Sequence, residues 1–165
     1  MTLSADEFRN ALGCFATGVT VITMEQAGNV HGMTANAFCS VSLDPQLVLV
    51  CVDQRTLTHE LMRDKQRFGI NVLAADQQRL SLYYADPNRL HHDAEAKAGA
   101  RFDHTRQGTP VLHGALAYLE CRLHSAQQAG DHTIFVAAVE DAVVREGRPL
   151  LFFRGHYHEL GEKPG

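Results

Sequence analysis

Hydrophobic and polar positions change their period several times along the chain, and each change marks an element. Phe8, Ala11, Leu12 and Phe15 recur at helical spacing behind Ser4 and Glu7, a capping-box pair, so an amphipathic helix is predicted as far as Gly18. Residues 19–24 and 30–34 are β-branched or apolar stretches around Gln26-Ala27-Gly28-Asn29, which predicts a hairpin. Cys39, Val41 and Leu43 alternate with Ser40 and Ser42, the pattern of a strand with one apolar face. After Asp44-Pro45, residues 47–52 are an unbroken apolar run, which predicts a strand buried on both sides. Thr56 can cap a second helix carrying Leu57, Leu61 and Met62; residues 68–73 then read as a strand and residues 76–84 as a short helix.

From Asp86 to Gly108 the apolar anchors thin out, which predicts a mobile loop or lid with a helical turn at residues 94–98. Beyond Pro110 the period is two: Ala115, Ala117, Leu119, Cys121 and Leu123 on an apolar face, with Tyr118, Glu120, Arg122 and His124 on a polar one. A turn over residues 127–132 leads into a strand over residues 133–144, whose Glu140-Asp141 pair points to solvent. A turn at residues 146–149 leads into a last strand over residues 150–153, and residues 154–158 close the chain. Many strands, short turns and two or three short helices predict a mainly β fold, a closed or partly closed antiparallel barrel rather than a doubly wound sheet.

Composition narrows the class. The length of 165 residues suits one domain over residues 1–165, able to bury about 70% of the surface of its unfolded chain. A net charge of -4 argues against nucleic acid as a partner. Cys14, Cys39, Cys51 and Cys121 form no C-x-x-C pair and read as buried thiols in a reducing compartment. The chain shows no signal-peptide pattern and no apolar run of about 18 residues, so a soluble cytoplasmic protein without a membrane span is expected. Residues 13–18 lack the Lys-Ser/Thr of a phosphate loop. The chain also has no G-x-G-x-x-G, so any nicotinamide cofactor is bound by other means. The close histidine pairs, His91-His92 and His156-x-His158, lack metal-ligand spacing, and no metal is expected.

The chemistry concentrates between His31 and His59. Gly32, Thr34, Ala35, Asn36 and Ala37 are small or hydrogen-bonding residues that leave room for a flat ring. The free N–H groups of the helix after Thr56 could hold an anion. On residue types alone these segments read equally as a polar loop and an ordinary helix cap, and Gly130-Asp131-His132 as a solvated turn.

Met33-Thr34-Ala35-Asn36-Ala37-Phe38, the run from Ser40 to Val52, Thr56-x-Thr58-His59 and Gly130-Asp131-His132, in this order, resemble the flavin reductase family that supplies reduced flavin to two-component monooxygenases. The resemblance extends from Glu7 to Tyr157. It implies an FMN-binding split β-barrel, Greek-key-like, that works as a homodimer and moves a hydride from NADH or NADPH to FMN or FAD for a partner oxygenase. It implies further that Met33, Thr34, Ala35, Asn36 and Ala37 lie along the isoalloxazine, although members often carry Ser where this chain has Ala37. Asp53, Thr56 and Thr58, and also Arg89, are implied near the flavin phosphate. Ser40, Cys51, Val52 and His59 join the flavin-binding set, as do Arg154 and Tyr157 from the closing segment. His132 is implied as the catalytic residue, on the nicotinamide side, where its role is positioning because the hydride passes directly between the two rings. Two other expectations remain at this point: a split-barrel flavoprotein that keeps its flavin and acts on its own substrate, and a non-catalytic flavin- or haem-binding module.

Overall fold

The computed structural model describes residues 3–89 and 99–161. It begins with α1 (Ala5–Gly13), where Ser4 Oγ accepts a hydrogen bond from the Glu7 N–H and the Glu7 carboxylate accepts one from the Ser4 N–H. The helix ends at Gly13, earlier than Gly18. There the Gly13 carbonyl accepts from Arg154 N at 2.9 Å, and Thr17–Gly18 instead form a short strand, β1. No residue of α1 is buried, so its apolar stripe of Phe8 and Leu12 faces outward.

The chain continues through β2 (Thr20–Gln26), β3 (Asn29–Ala35), β4 (Phe38–Leu43) and β5 (Gln46–Asp53). Next come α2 (Leu57–Lys65), β6 (Arg67–Val72) and, after a 3-10 turn, α3 (Gln78–Ala85). It finishes with β7 (Phe102–His104), β8 (Pro110–Leu112), β9 (Ala117–Ala129), β10 (His132–Val144), β11 (Leu150–Phe153) and β12 (His156–Glu159). Mainly β with short helices is what the periodicity predicted. The expected helical turn at residues 94–98 lies outside the described residues, whereas residues 102–104, read as loop, pair with β8.

Seven strands form one antiparallel sheet in the order β3-β2-β6-β9-β10-β5-β4. Its two edges, β3 and β4, are consecutive in the chain and joined only by Asn36 and Ala37. Such a link spans about 10 Å, so the sheet must roll until its edges meet at that end. Inside the roll, α2 supplies Leu61 and Met62 to a core with Ile22, Val50, Phe68 and Phe135. A second core on the outer face gathers Val21, Leu73, Leu80, Tyr84 and Leu112 under α3 and β8.

Which strand is buried on both faces departs from the expectation. β2 fills both cores, with Ile22 and Met24 on one side and Val19 and Val21 just before and within it on the other. β5 buries Val48, Val50 and Val52 alone and leaves the alternate side half-covered. On β4 the apolar side is the exposed one, with Leu43 at 89% exposure, because an edge strand has no further layer against it. On β9 the side expected to be polar and solvated buries Tyr118 and Glu120. Thr105 Oγ1 and Thr109 Oγ1 donate to Glu120 Oε1 at 2.8 and 2.7 Å, satisfying the carboxylate. Glu140 and Asp141 are exposed, as read. The cysteines divide: Cys121 is buried, which pushes its thiol pKa up to about 12, and Cys51 is half-buried, but Cys14 and Cys39 are exposed, the first capping the end of α1 and the second on the edge strand.

Candidate functional site

A cleft of about 970 Å³ opens between β3, the start of α2 and the segment that follows α3. Thr56 builds its floor. Thr56 Oγ1 accepts from His59 N at 3.2 Å while donating to the Asp53 carbonyl at 2.8 Å, so β5 turns directly into a capped helix. The first N–H groups of that helix have no partner within it and carry the positive end of its dipole. They open beside Thr58, which also lines the cleft.

Charge is arranged in pairs around this helix start. Both oxygens of Asp53 are taken by Arg55: Nε donates at 3.1 Å, Nη2 at 2.7 Å and the Arg55 N–H at 2.9 Å. Those bonds hold the Asp53 carboxyl well below the ordinary carboxylate range. Asp53 therefore acts as a bracket that aims Arg55. On the opposite wall Arg89 donates to the carbonyls of Gly32 and Asp86, and its guanidinium lies 5.5 Å from the Tyr84 ring centroid. Apolar surface comes from Met33, Val30, Leu57 and Tyr83. Thr34 Oγ1 donates to the Ser81 carbonyl at 2.7 Å, tying this wall to α3.

Of the residues singled out from the sequence, Met33, Thr34, Asp53, Thr56, Thr58 and Arg89 line this cleft together. Ala35 and Val52 are buried in the inner core. Asn36, Ala37 and Ser40 are exposed at the link between the sheet edges and on β4, while Cys51 lies on the half-covered side of β5. His59 turns inward, its Nε2 2.9 Å from Thr133 Oγ1 and its ring edge-on to Phe135. Tyr157 lies outside the cleft lining, its hydroxyl 2.8 Å from Ser81 Oγ on α3. Arg154 lies at the end of α1, where its guanidinium donates to Cys14 Sγ at 3.7 Å.

His132 stands next to the cleft. The register pairs it with Asp53, and Gly130 with Asp131 forms the two-residue turn between β9 and β10. The expected turn over residues 127–132 is thus shorter, because both strands run on to its base. Gln54 staples the turn to the start of α2: its N–H donates to the Asp131 carbonyl at 3.1 Å and its Nε2 to the His132 carbonyl at 2.9 Å. The His132 ring is 44% exposed, with Nδ1 2.8 Å from Asp131 Oδ1. That bond lowers the Asp131 carboxyl pKa.

Among the cleft residues that the sequence reading passed over, Arg55, Tyr83 and His31 bear most on its chemistry. Arg55 had a signal, a cation directly before a capping Thr at a helix start. Tyr83 was read only as part of a helix face. His31 had none, because its partner is Thr58, 27 positions away.

Residues 12–161 match the family described as flavin reductase-like domain. The chain is 43% identical over 159 residues to the NADH-dependent flavin reductase of a Rhodococcus species, covering 92% of this chain and 84% of that protein. It is 38% identical to the NADH-dependent flavin reductase StyB of Pseudomonas fluorescens over 155 residues, 92% of this chain and 87% of that one. Among solved structures it superposes on the flavin reductase PheA2 with a TM-score of 0.87 and 44% identity, covering 96% and 99% of the two chains. With Streptomyces globisporus NADH:FAD oxidoreductase SgcE6, solved in complex with NAD and FAD fragments, the TM-score is 0.88 at 32% identity, covering 100% and 99%. Among the described residues no helix is long and apolar enough to cross a membrane.

Proposed function

This chain belongs to the family of flavin reductase-like domains, and from that premise we propose how its cleft is used. The protein is an NADH-dependent flavin reductase, an oxidoreductase that supplies reduced flavin to a separate monooxygenase component. FMN or FAD, when bound, accepts a hydride passed directly from the nicotinamide ring. The observation that carries the assignment to this cleft is its donor set. The Thr58 hydroxyl, a helix start and two arginines converge beside apolar walls, which suits a phosphate joined to a flat ring.

The chain's own residues then divide the work. Thr58 and the first N–H groups of α2, presented by the Thr56 cap, hold the phosphate, and Arg55, aimed by Asp53, supplies a positive charge that is not buried. Arg89 keeps the wall shut by clamping the segment after α3 onto β3, and adds a second positive charge. Met33 and Thr34, continued by the Asn36-Ala37 link, offer the surface along which the ring lies. His132, held by Asp131 and by the Gln54 staple, positions the nicotinamide, and no protein nucleophile is required.

The rolled sheet is read as a split β-barrel of Greek-key type, with α2 packed into its inner core. The working unit is a homodimer. The exposed apolar side of β4 and the half-covered side of β5 supply the self-complementary surface that a second copy would bury. A cytoplasmic setting suits the exposed free thiols of Cys14 and Cys39.

The test is anaerobic: NADH oxidation and flavin bleaching are followed with purified protein, with and without added FMN or FAD. Turnover that depends on added flavin is expected. Flavin that stays on the protein through gel filtration and never exchanges would point to a flavoprotein acting on its own substrate. No turnover with either flavin would point to a binding module.

A further inference from the structure

His31 lies on β3 with its Nε2 2.8 Å from Thr58 Oγ1, inside the cleft. Thr58 is the second residue of α2 and is 2% exposed, so its hydroxyl has little access to bulk water. Burial, helped by the Arg89 charge, lowers the His31 pKa to about 4, so the ring is neutral near pH 7 and one nitrogen carries its single proton. Two arrangements are open to that pair. If Nε2 accepted from the Thr58 hydroxyl, Thr58 would turn only lone pairs toward the helix start, where an anion would be repelled. If Nε2–H donates to Oγ1, the Thr58 proton is free to point at an anion, as the two first N–H groups of the helix do. The electrostatics of the site select the second arrangement, since Arg55, Arg89 and the helix dipole all favour a negative group there.

We propose that His31 is a positioning residue for flavin phosphate, fixing Thr58 as a hydrogen-bond donor by donating Nε2–H to its oxygen. The inference rests on the reductase reading given above and names the part of the flavin that this pair reads. Thr58 touches the phosphate and His31 acts through it. The ring thereby lets the protein distinguish a phosphorylated flavin from riboflavin, which has the same ring system and no anion.

The experiment compares steady-state kinetics with FMN and with riboflavin at saturating NADH for the parent protein and for His31→Leu, His31→Gln and Thr58→Val. Gln places an amide nitrogen where Nε2 stood. For His31→Leu, KM for FMN should rise about tenfold more than KM for riboflavin, with kcat changing less, as expected for losing one hydrogen bond to a charged group. His31→Gln should restore most of the preference for FMN. In the Thr58→Val background, His31→Leu should add little. A His31→Leu variant whose two KM values rise equally, or whose preference for FMN survives, would overturn the proposal, as would His31→Gln behaving like His31→Leu. A parent protein that turns over riboflavin and FMN equally well would overturn it too, while leaving the reductase reading intact. Absence of NADH oxidation with every flavin would sink the reductase reading, and this proposal with it.

Discussion

A Cβ placed on Gly32 would lie 2.6 Å from two carbons of the Tyr84 ring, so the bare backbone of β3 is what allows α3 to seat against it. Tyr84 is fully buried in the outer core and cannot swing out to make room. Gly32→Ala is therefore expected to cost about 1–3 kcal/mol of stability through overpacking. Because Arg89 is bonded to the Gly32 carbonyl, the same change should loosen the cleft wall and raise KM for flavin. Urea unfolding read beside flavin kinetics checks both. A variant with parent-like stability would show that the ring has another place to go.

Glu120 makes a second prediction. At 4% exposure it accepts from Thr105 and Thr109 and lies 3.5 Å from Arg67, which holds the segment before β8 against β9. Glu120→Ala leaves a buried hydroxyl on Thr109 and weakens the setting of Arg67, and a loss of about 3 kcal/mol is expected. Denaturant midpoints measure it, and limited proteolysis should find new cleavage near residues 105–109. A midpoint within experimental error of the parent would remove this network from the list of stabilising features.

His132 is predicted to matter for the nicotinamide alone. His132→Ala should raise KM for NADH or slow flavin reduction about tenfold through lost positioning, with flavin affinity changed by less than about twofold, since the Gln54 staple uses the His132 carbonyl and survives the change. Stopped-flow reduction and equilibrium flavin titration separate these effects. Equal weakening of both ligands would place His132 elsewhere.

Stability should also depend on pH through His31. Folding lowers its pKa from 6.5 to about 4, through burial first and the Arg89 charge second. Between those values the unfolded chain binds the extra proton, so stability falls as pH drops from 6.5 toward 4, and this group contributes no further loss below that. Arg55, Asp53 and Arg89 share the cleft with the ring, and the two arginines stay charged throughout this window. His31→Gln should flatten that part of the profile when urea midpoints of the two proteins are compared across it. Parallel profiles would mean that the ring is protonated as easily in the folded protein as in the unfolded one.

The sequence by itself determined most of the elements and their order, missing the short strands β1, β7 and β12. The Ser4–Glu7 box, the Thr56 cap, the turns at residues 27–28 and 130–131 and the two-residue period of the strands are all local, set by a few neighbouring residues and readable without knowing what lies opposite. The same locality made the capped start of α2, with its free N–H groups, legible. Burial was decided only by the tertiary structure. An alternating strand says that its two faces differ, and which one is covered depends on strands and helices from far along the chain. Leu43 is therefore exposed on an edge, while Glu120 is buried under a loop that supplies two hydroxyls. The site divided along the same line. Thr56 and Thr58 could be found by reading along the chain, but the pairing of His31 with Thr58 and of Asp53 with His132 joins positions 27 and 79 residues apart, and only the rolled sheet brings them within reach.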